Sequence, residues 1–361
     1  MKKILYTATV DKHIISFHIP YLKMLKEMGY EVHVATNGTE QIAYCDVKHT
    51  VTFERNPFKI NNIKAIYQLK KIIENEKFDL IHCHTPMGSA VTRFAAKNAR
   101  KNGTRVIYTA HGFHFFKGAP ILNWLLFYPV EKYLSKYTDT IITINNEDFE
   151  LARKKFKRVK IEYVPGIGID PKKFNFEMTE EEKIRLREEV GCEKDDFVII
   201  CIGELNKNKN QIMAIKALNE VIKQKNNVKL LIVGEGLLKQ KYENVINKLG
   251  LEKSIKLLGY RTDVSRLIKI SDLGVSCSKR EGLPVNILEM LFCNLPVIAT
   301  NNRGHRDLIE EEKLIFDNKY ISLSDRIIYL INNLKVLIIN KKLKHYELNN
   351  LINKIKNIYK I

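Results

Sequence analysis

The sequence predicts an α/β protein built from two Rossmann-like, doubly wound domains that face each other across a cleft. A chain of 361 residues is long for one domain and suits two. Short β-branched runs alternate with amphipathic helical stretches, which is the pattern of parallel sheets covered by helices. A single loop rich in proline and glycine interrupts this alternation and marks the boundary between two such series.

The first half of the chain alternates five predicted strands with five predicted helices. Each strand is a short apolar run, and each helix has an amphipathic pattern. The predicted strands cover residues 3–9, 31–36, 80–84, 105–110 and 140–144. The predicted helices cover residues 18–28, 61–76, 88–101, 121–136 and 146–156.

The loop at residues 163–171 separates the halves because two prolines and two glycines in nine residues cannot continue the alternation. We therefore predict one domain over residues 1–165 and a second over residues 166–340. We expect a last helix, at residues 341–361, to pack back on the first domain. The second series has a charged helix at residues 180–190 and strands at residues 197–203, 229–234, 255–258, 273–278 and 296–300.

The composition is that of a soluble globular protein, with 45% hydrophobic and 28% charged residues. The longest later apolar stretch, residues 119–130, is much shorter than the roughly 20 residues of a membrane helix. The N-terminal run is interpreted as a buried strand and not as a signal peptide. The six cysteines form no Cys-x-x-Cys pair, which favours buried free thiols in a reducing compartment. We expect a cytoplasmic protein.

The net charge of +19 is spread over both halves and admits three interpretations. These are a solvated lysine-rich surface, attraction to an anionic membrane face, and nucleic-acid binding. No nucleic-acid-binding signature accompanies the charge, so nucleic acid ranks last and is not an expected partner. The aromatic stretch at residues 113–137, with Lys117, Lys132 and Lys136, either packs in the core or touches the inner face of the cell membrane. The core interpretation ranks first.

Residues just after the strands are the candidates for chemistry, because doubly wound sheets bind ligands beyond the carboxyl ends of their strands. Gly203 ends one predicted strand and Lys209 precedes the next helix, an arrangement that suits a phosphate or diphosphate. Gly234 ends the following strand beside Gly236, without a full G-x-G-x-x-G motif. Taken alone, the first of these loops is better interpreted as an ordinary surface loop of a lysine-rich protein, and the second is weak evidence for phosphate binding.

The stretch from Ser278 to Glu289 carries the strongest local signal. Glu281 lies in the loop after a strand, Pro284 opens a helix, and Glu289 lies within that helix. The two carboxylates would then lie on either side of free backbone N–H groups. Carboxylates bind sugar hydroxyls and free N–H groups bind phosphate, so together they complement the polar groups of a nucleotide sugar. Both glutamates could instead be solvated surface charges. Glu289 is surrounded by apolar helix residues, which favours a bound or paired carboxylate.

The motif Glu281-Gly-Leu-Pro-x4-Glu289 resembles the signature of family 4 retaining glycosyltransferases, which have the GT-B fold. Other motifs match the same family in order, over residues 1–310. They are the Gly203 to Lys209 loop, residues 233–236, 259–263, 295–300 and 303–304, the hinge at 165–170, and residues 109–113. The resemblance is to bacterial enzymes that assemble capsular and extracellular polysaccharide.

The resemblance implies a nucleotide-sugar-binding C-terminal domain and an acceptor-side N-terminal domain. It implies that Glu289 binds the donor ribose, Glu281 contacts the donor sugar, Lys209 neutralises the diphosphate, and His111 reaches the sugar from the first domain. Glu281, His111 and Lys209 are thus the implied catalytic residues. The implied donor-binding residues are Glu289, Gly203, Glu204, Gly234, Tyr260, Arg261, Gly282, Leu283, Pro284 and Val285.

Two positions depart from the family pattern. Many relatives have an arginine directly after the strand-end glycine, where this chain has Glu204. Relatives often have a Gly-Gly loop after the first strand, where this chain has residues 9–13. The region after Leu308 is also atypical. Lys209 is therefore the expected side-chain cation on the diphosphate.

Histidines in the first half raise the question of a metal. His82 and His84 alternate along a strand and share a face, but the spacing indicates no third ligand. We therefore expect no metal, and rank packing or substrate contact above it. For His111, substrate contact ranks above a hydrogen-bonded loop histidine.

The expected function is transfer of a sugar from a nucleotide sugar, with UDP as the expected nucleotide, to a lipid-linked or glycan acceptor. No cofactor is expected, because the nucleotide sugar is a substrate. Two alternatives remain open at this point: a nucleotide-sugar epimerase, which shares the two-domain architecture, and a non-catalytic subunit that binds nucleotide sugar. The partners expected are the donor, the acceptor and an anionic membrane surface.

Overall fold

A computed structural model describes residues 1–333 and 342–359. The chain forms two compact units, Met1–Ile167 with Asn349–Ile361, and Gly168–Leu348. The units divide within the loop that holds the predicted boundary. The second predicted domain, residues 166–340, and the predicted last helix, residues 341–361, include residues 334–341 and 360–361. These residues lie outside the described part of the chain.

The first unit has a seven-stranded sheet in the order β3-β2-β1-β4-β5-β6-β7. Every neighbouring pair is parallel, which requires a crossover between successive strands. The strands are β1 Lys3–Val10, β2 Glu31–Asn37, β3 Val47–Thr50, β4 Leu80–His84, β5 Arg105–Ala110, β6 Thr140–Thr143 and β7 Lys160–Tyr163.

Helices supply all of these crossovers except the one from β2 to β3, where residues 38–46 contain no helix. The predicted helices begin and end close to the observed positions. The observed helices are α1 Asp11–Phe17, α2 Ile19–Glu27, α3 Asn61–Glu76, α4 Pro86–Ala95, α5 Lys97–Lys101, α6 Ile121–Leu134 and α7 Asn146–Lys155. Residues 9–13 were predicted to form a loop after the first strand. Most of them are helical instead, since α1 begins at Asp11. The α/β prediction is confirmed for this unit.

Two strands of the first sheet escaped prediction, and both are edge strands. The sequence of β3 is VKHT and that of β7 is KIEY, so neither is a continuous apolar run. Edge strands contact one neighbour only and remain partly solvated, so their sequences need not be apolar.

The second unit has a six-stranded parallel sheet in the order β10-β9-β8-β11-β12-β13. Its strands are β8 Phe197–Ile202, β9 Val228–Val233, β10 Ile255–Gly259, β11 Leu273–Ser276, β12 Val297–Thr300 and β13 Ile315–Phe316. Its helices are α8 Glu180–Glu189, α9 Ile212–Val221, α10 Lys239–Lys248, α11 Val264–Lys269, α12 Val285–Phe292, α13 Arg303–Arg306 and α14 Tyr320–Asn333. The first five strands were predicted, whereas the two-residue edge strand β13 was not.

The core of each unit lies on the faces of its sheet. Leu5, Ile81 and Val106 from adjacent strands are completely buried under α3 and α4. In the second unit, Leu230, Ile232 and neighbouring residues pack with α9, α10 and α14. Burial of apolar area at about 25 cal/mol per Å² is the main favourable contribution in such cores. It also holds the strand ends, where the polar residues lie, in a defined arrangement.

The last described helix, α15 Leu348–Tyr359, belongs almost entirely to the first unit. The Tyr359 hydroxyl is completely buried and hydrogen-bonds to the hydroxyl of Tyr6 and to Nδ1 of His82. The helix is therefore anchored beneath β1 and β4.

Five cysteines are buried, Cys45 is half-buried, and all six are free thiols. Within residues 1–333 and 342–359, no helix has the length and apolar character needed to cross a membrane.

Candidate active site

The loops after β8 and β11 lie side by side, because these two parallel strands are neighbours in the second sheet. The backbone N–H of Lys279 donates to the carbonyl of Asn208 at 2.8 Å. The Asn208 side chain in turn donates to the carbonyl of Arg280 at 2.9 Å. These bonds join the predicted phosphate loop to the loop that carries Glu281.

Lys209 and Glu281 form an ion pair, with 2.8 Å between Nζ and Oε1. The Lys209 side chain is 23% exposed and that of Glu281 is 13% exposed, so the pair is partly shielded from water. The Asn206 side chain accepts from the backbone N–H of Lys209 at 2.8 Å and holds the loop in place. The two side chains that the sequence singled out are therefore in direct contact.

Two glycines leave room for this arrangement. A side chain at Gly304 would lie 2.8 Å from the Gly282 carbonyl oxygen and 3.0 Å from Cβ of Glu281. Gly234 has a φ of +138°, and its added Cβ would overlap the carbonyl oxygen of Gly203. Both positions therefore require glycine, since any larger residue would displace the backbone of the candidate site.

Glu289 lies in the second turn of α12 and is half-buried. Burial raises the pKa of its carboxyl to about 7, although Lys173 and Lys209 act in the opposite direction. No residue among 1–333 and 342–359 forms a hydrogen bond or ion pair with this carboxyl. A carboxyl with its hydrogen-bonding capacity unused can bind hydroxyl groups of a ligand.

The start of α12 offers backbone N–H groups. Pro284 precedes the first helical residue, Val285, and no side chain caps this end of the helix. The first N–H groups of a helix have no partner within the helix, and the helix dipole favours an anion there. Leu283 and Pro284 are buried and Gly282 is half-buried. The predicted donor-binding positions 282–285 connect Glu281 to the first residue of the helix.

Asn286 is a residue that the sequence analysis missed. Its side-chain nitrogen donates to the carbonyl of Ile202 at 2.8 Å and ties α12 to the end of β8. Its Oδ1 is buried and accepts no hydrogen bond from the described residues. The only signal in the sequence was its place in the first turn of the helix after Glu281.

Of three other predicted donor-binding residues, one lies on the loop that carries Lys209 and two follow a different strand. Glu204 is exposed on the loop after β8. Tyr260 and Arg261 follow β10, which is separated from β8 by β9. Tyr260 is 72% exposed, and Arg261 pairs with Asp263 through two 2.7 Å contacts. Their role in donor binding stays a prediction.

His111, in the first unit, follows β5 and lies 3.3 Å from His84, measured between Nε2 of His111 and Nδ1 of His84. His13 and His18 lie in the same cluster, with 3.3 Å between their Nε2 atoms. The spacing along the chain indicated no third ligand beside His82 and His84, whereas the fold places other histidines next to His84. The expectation that the chain holds no metal stays a prediction. Burial and neighbouring imidazoles lower the pKa of His111 well below its usual value, which keeps the ring neutral.

The fold and the strand-end residues define a glycosyltransferase. Residues 3–145 match the family described as glycosyl transferase 4-like, and residues 182–347 match the family described as glycosyl transferases group 1. The chain belongs to this family of glycosyltransferases and has two parallel-sheet domains of the GT-B type.

Two relatives show this membership over most of their length. The chain is 45% identical over 312 residues to a Bacillus subtilis (strain 168) protein named "Putative glycosyltransferase EpsD", covering 86% of this chain and 81% of the relative. It is 32% identical over 282 residues to the Escherichia coli UDP-Gal:alpha-D-GlcNAc-diphosphoundecaprenol alpha-1,3-galactosyltransferase, covering 76% and 70%.

Solved structures share the fold at low sequence identity. HepE of Anabaena, crystallised in complex with UDP and glucose, has a TM-score of 0.78 at 20% identity, with 99% of each chain covered. WaaG, a glycosyltransferase involved in lipopolysaccharide biosynthesis, has a TM-score of 0.75 at 15% identity, with 100% of each chain covered.

Proposed function

We propose that this chain is a retaining glycosyltransferase that moves a sugar from a UDP-sugar to a lipid-linked or glycan acceptor in cell-surface polysaccharide synthesis. The observation that carries the proposal is the Lys209–Glu281 pair beside the unpartnered carboxyl of Glu289. The Escherichia coli relative supports both substrates, because its name specifies a UDP-sugar donor and a diphosphoundecaprenol-linked acceptor.

Glu289 binds the ribose hydroxyls of the donor. Its carboxyl lies on a helix anchored to the sheet, so little side-chain freedom is lost when the nucleotide binds. A carboxyl of either protonation state accepts a hydrogen bond from a hydroxyl. Glu281, one loop away, accepts hydrogen bonds from hydroxyls of the donor sugar.

Lys209 stabilises the diphosphate as it leaves. Its ammonium turns from Glu281 toward the diphosphate, and the N–H groups at the start of α12 contribute a second positive region. In the transfer step, the bond between the sugar C1 and the diphosphate oxygen breaks. A bond from C1 to the acceptor oxygen forms on the same face of the sugar, and the acceptor proton moves to the departing phosphate oxygen. The role of His111 at the donor sugar stays a prediction, because this residue belongs to the first unit and the other proposed donor-binding residues belong to the second.

The acceptor side of the proposal is supported by an exposed apolar surface on the first unit. On α6, Ile121 is 78% exposed and Leu125 is 66% exposed. Phe58 and Ile60 are also exposed and, with Val130 of α6, line one groove. Lysines 59, 117 and 132 are near these residues in sequence. Such a surface suits a lipid-linked acceptor at the cytoplasmic face of an anionic membrane. The sequence-based interpretation of this stretch as core therefore holds for Phe113 and Phe115 but not for Ile121 and Leu125.

The test is transfer by the purified full-length chain. Radiolabelled UDP-glucose, UDP-galactose, UDP-GlcNAc and UDP-GalNAc are each incubated with a polyprenyl-diphosphate-linked sugar, and label is counted in the lipid phase. We expect label in the lipid phase with one donor, an anomeric configuration equal to that of the donor, and at least a 100-fold loss in Glu281→Gln. Epimerised UDP-sugar without transfer would instead identify an epimerase. UDP binding with no turnover of any donor would identify a binding subunit.

A further inference from the structure

Four histidines that are distant in sequence meet at one end of the first sheet. His13 lies in α1, and His18 lies at the junction of α1 with α2. His84 ends β4, and His111 follows β5. They meet because β1, β4 and β5 are adjacent parallel strands whose carboxyl ends share one edge.

Two separations between ring nitrogens match those of ligands around one metal ion, and the remaining nitrogens lie close by. Each imidazole offers one nitrogen, and the four nitrogens lie within 4.8 Å of one another. Two of the separations, between His13 and His18 and between His84 and His111, are 3.3 Å. A tetrahedral ion with metal–nitrogen bonds of about 2.0–2.1 Å places its ligand atoms about 3.3–3.4 Å apart.

The hydrogen bonding of the cluster is incomplete. Nε2 of His84 is buried and has no hydrogen-bond partner among the described residues, and His84 itself is 1% exposed. The adjacent His82 differs, since Tyr359 and Thr109 satisfy both of its ring nitrogens. The ring of His84 therefore has one nitrogen, Nδ1, directed at His111 and a second, Nε2, without a partner, and only one of the two can bind a given ion. The cluster also stays neutral, because burial lowers the pKa of His13 to about 4 and holds the pKa of His84 well below its ordinary value.

We propose that His13, His18, His84 and His111 bind a divalent transition-metal ion of the zinc class. Neutral imidazole nitrogens suit Zn²⁺, Co²⁺ and Ni²⁺, whereas Mg²⁺ and Ca²⁺ require oxygen ligands. His13 and His111 are half-buried, so an ion can enter from that side. The bound ion holds the α1 segment against the ends of β4 and β5, and so fixes the position of His111.

A second group of residues with metal-ligating side chains is not a candidate metal site. Glu31 and His33 of β2 lie close to Glu76, the last residue of α3. Their carboxylates pair with Lys3, at 3.5 Å to Glu31 and 2.8 Å to Glu76, and Glu31 also accepts from His33 at 2.8 Å. An ammonium already occupies the position of a cation there, so this group serves as the negative control.

The experiment titrates Co²⁺ into the metal-free full-length chain and follows the visible absorption that tetrahedral Co²⁺ acquires. Zn²⁺ is then added as a competitor, and Mg²⁺ is titrated in parallel. We expect one Co²⁺ per chain, displacement by Zn²⁺, and no effect of Mg²⁺. His13→Gln and His84→Gln should each weaken binding by at least about tenfold. His345→Gln, at an exposed histidine of the second unit, and Glu76→Gln should leave it unchanged.

Circular dichroism of each variant verifies folding, and His13→Gln is the safer substitution because this residue is half-buried. Equal Co²⁺ binding in folded His13→Gln and in the unaltered chain would overturn the proposal, as would absence of any tetrahedral absorption. The glycosyltransferase proposal is tested independently, because Glu281→Gln should lower transfer at least 100-fold without changing Co²⁺ binding.

Discussion

Nζ of Lys209 lies 2.8 Å from Oε1 of Glu281, and this ion pair joins the loops that follow β8 and β11. The Lys209 ammonium, which we assign to the diphosphate, is thus paired with the Glu281 carboxylate, which we assign to the donor sugar. Donor binding must exchange one partner for the other. Both side chains are partly exposed, so the exchange does not require an unpaired buried charge.

Lys209→Ala should lower kcat by about 100- to 1,000-fold, because it removes a preorganised positive charge from the leaving diphosphate. The measurement is the rate of sugar transfer at saturating donor. Lys207→Ala is the matched control, since Lys207 is exposed on the same loop, and it should retain nearly full activity. Equal losses in both variants would contradict a specific role for Lys209.

Glu289→Ala should weaken UDP binding by about 10- to 100-fold, because it removes the acceptor for two ribose hydroxyls. Isothermal titration calorimetry with UDP measures the change. The control is Glu188→Ala, which removes an exposed carboxylate from α8. An unchanged UDP affinity in Glu289→Ala would refute the assignment of this residue.

Glu289 should also make stability depend on pH. Its folded-state pKa of about 7 exceeds the ordinary value of 4.5, so the folded chain binds the proton more tightly than the unfolded chain. The free energy of unfolding should therefore fall as pH rises from about 4.5 to about 7, by about 1–3 kcal/mol from this group. Denaturant titrations at pH 5 and pH 8 measure the fall, which should be smaller in Glu289→Gln. An identical pH dependence in the two proteins would contradict a buried carboxyl.

Glu131→Gln should destabilise the first unit by about 3–5 kcal/mol, because it leaves a buried guanidinium without its charge partner. Arg93 is completely buried and contacts both carboxylate oxygens of Glu131, at 2.8 and 3.1 Å. The control is Glu150→Gln, which removes an exposed pair with Arg153 and should cost at most about 1 kcal/mol. Denaturant unfolding measures both values. A loss in Glu131→Gln no larger than that of the control would show that the buried pair is dispensable.

Leu125→Ser combined with Ile121→Ser should reduce binding to anionic lipid vesicles, because these substitutions remove exposed apolar area from α6. Vesicle sedimentation measures the bound fraction. Leu237→Ser, at a residue 98% exposed on the second unit, is the control and should bind as the unaltered chain does. Equal sedimentation with anionic and neutral vesicles would count against an electrostatic contribution.

Most of the fold was predictable because central parallel strands are buried on both faces and must be apolar. The runs at β1, β4 and β8 carry that signal in a few consecutive residues. The edge strands β3 and β7 lack it, since half of their surroundings is solvent. Helix α1 was missed because its seven residues follow β1 without a break.

The sequence by itself determined the two α/β series, the family signature from Glu281 to Glu289, and the strand-end position of Lys209. These are local properties, because each depends on residues within a few positions of one another. Only the tertiary structure decided that Lys209 contacts Glu281, that Arg261 pairs with Asp263, and that four histidines meet. Such contacts depend on which strands become neighbours, and the order of strands in a parallel sheet does not follow their order in the chain.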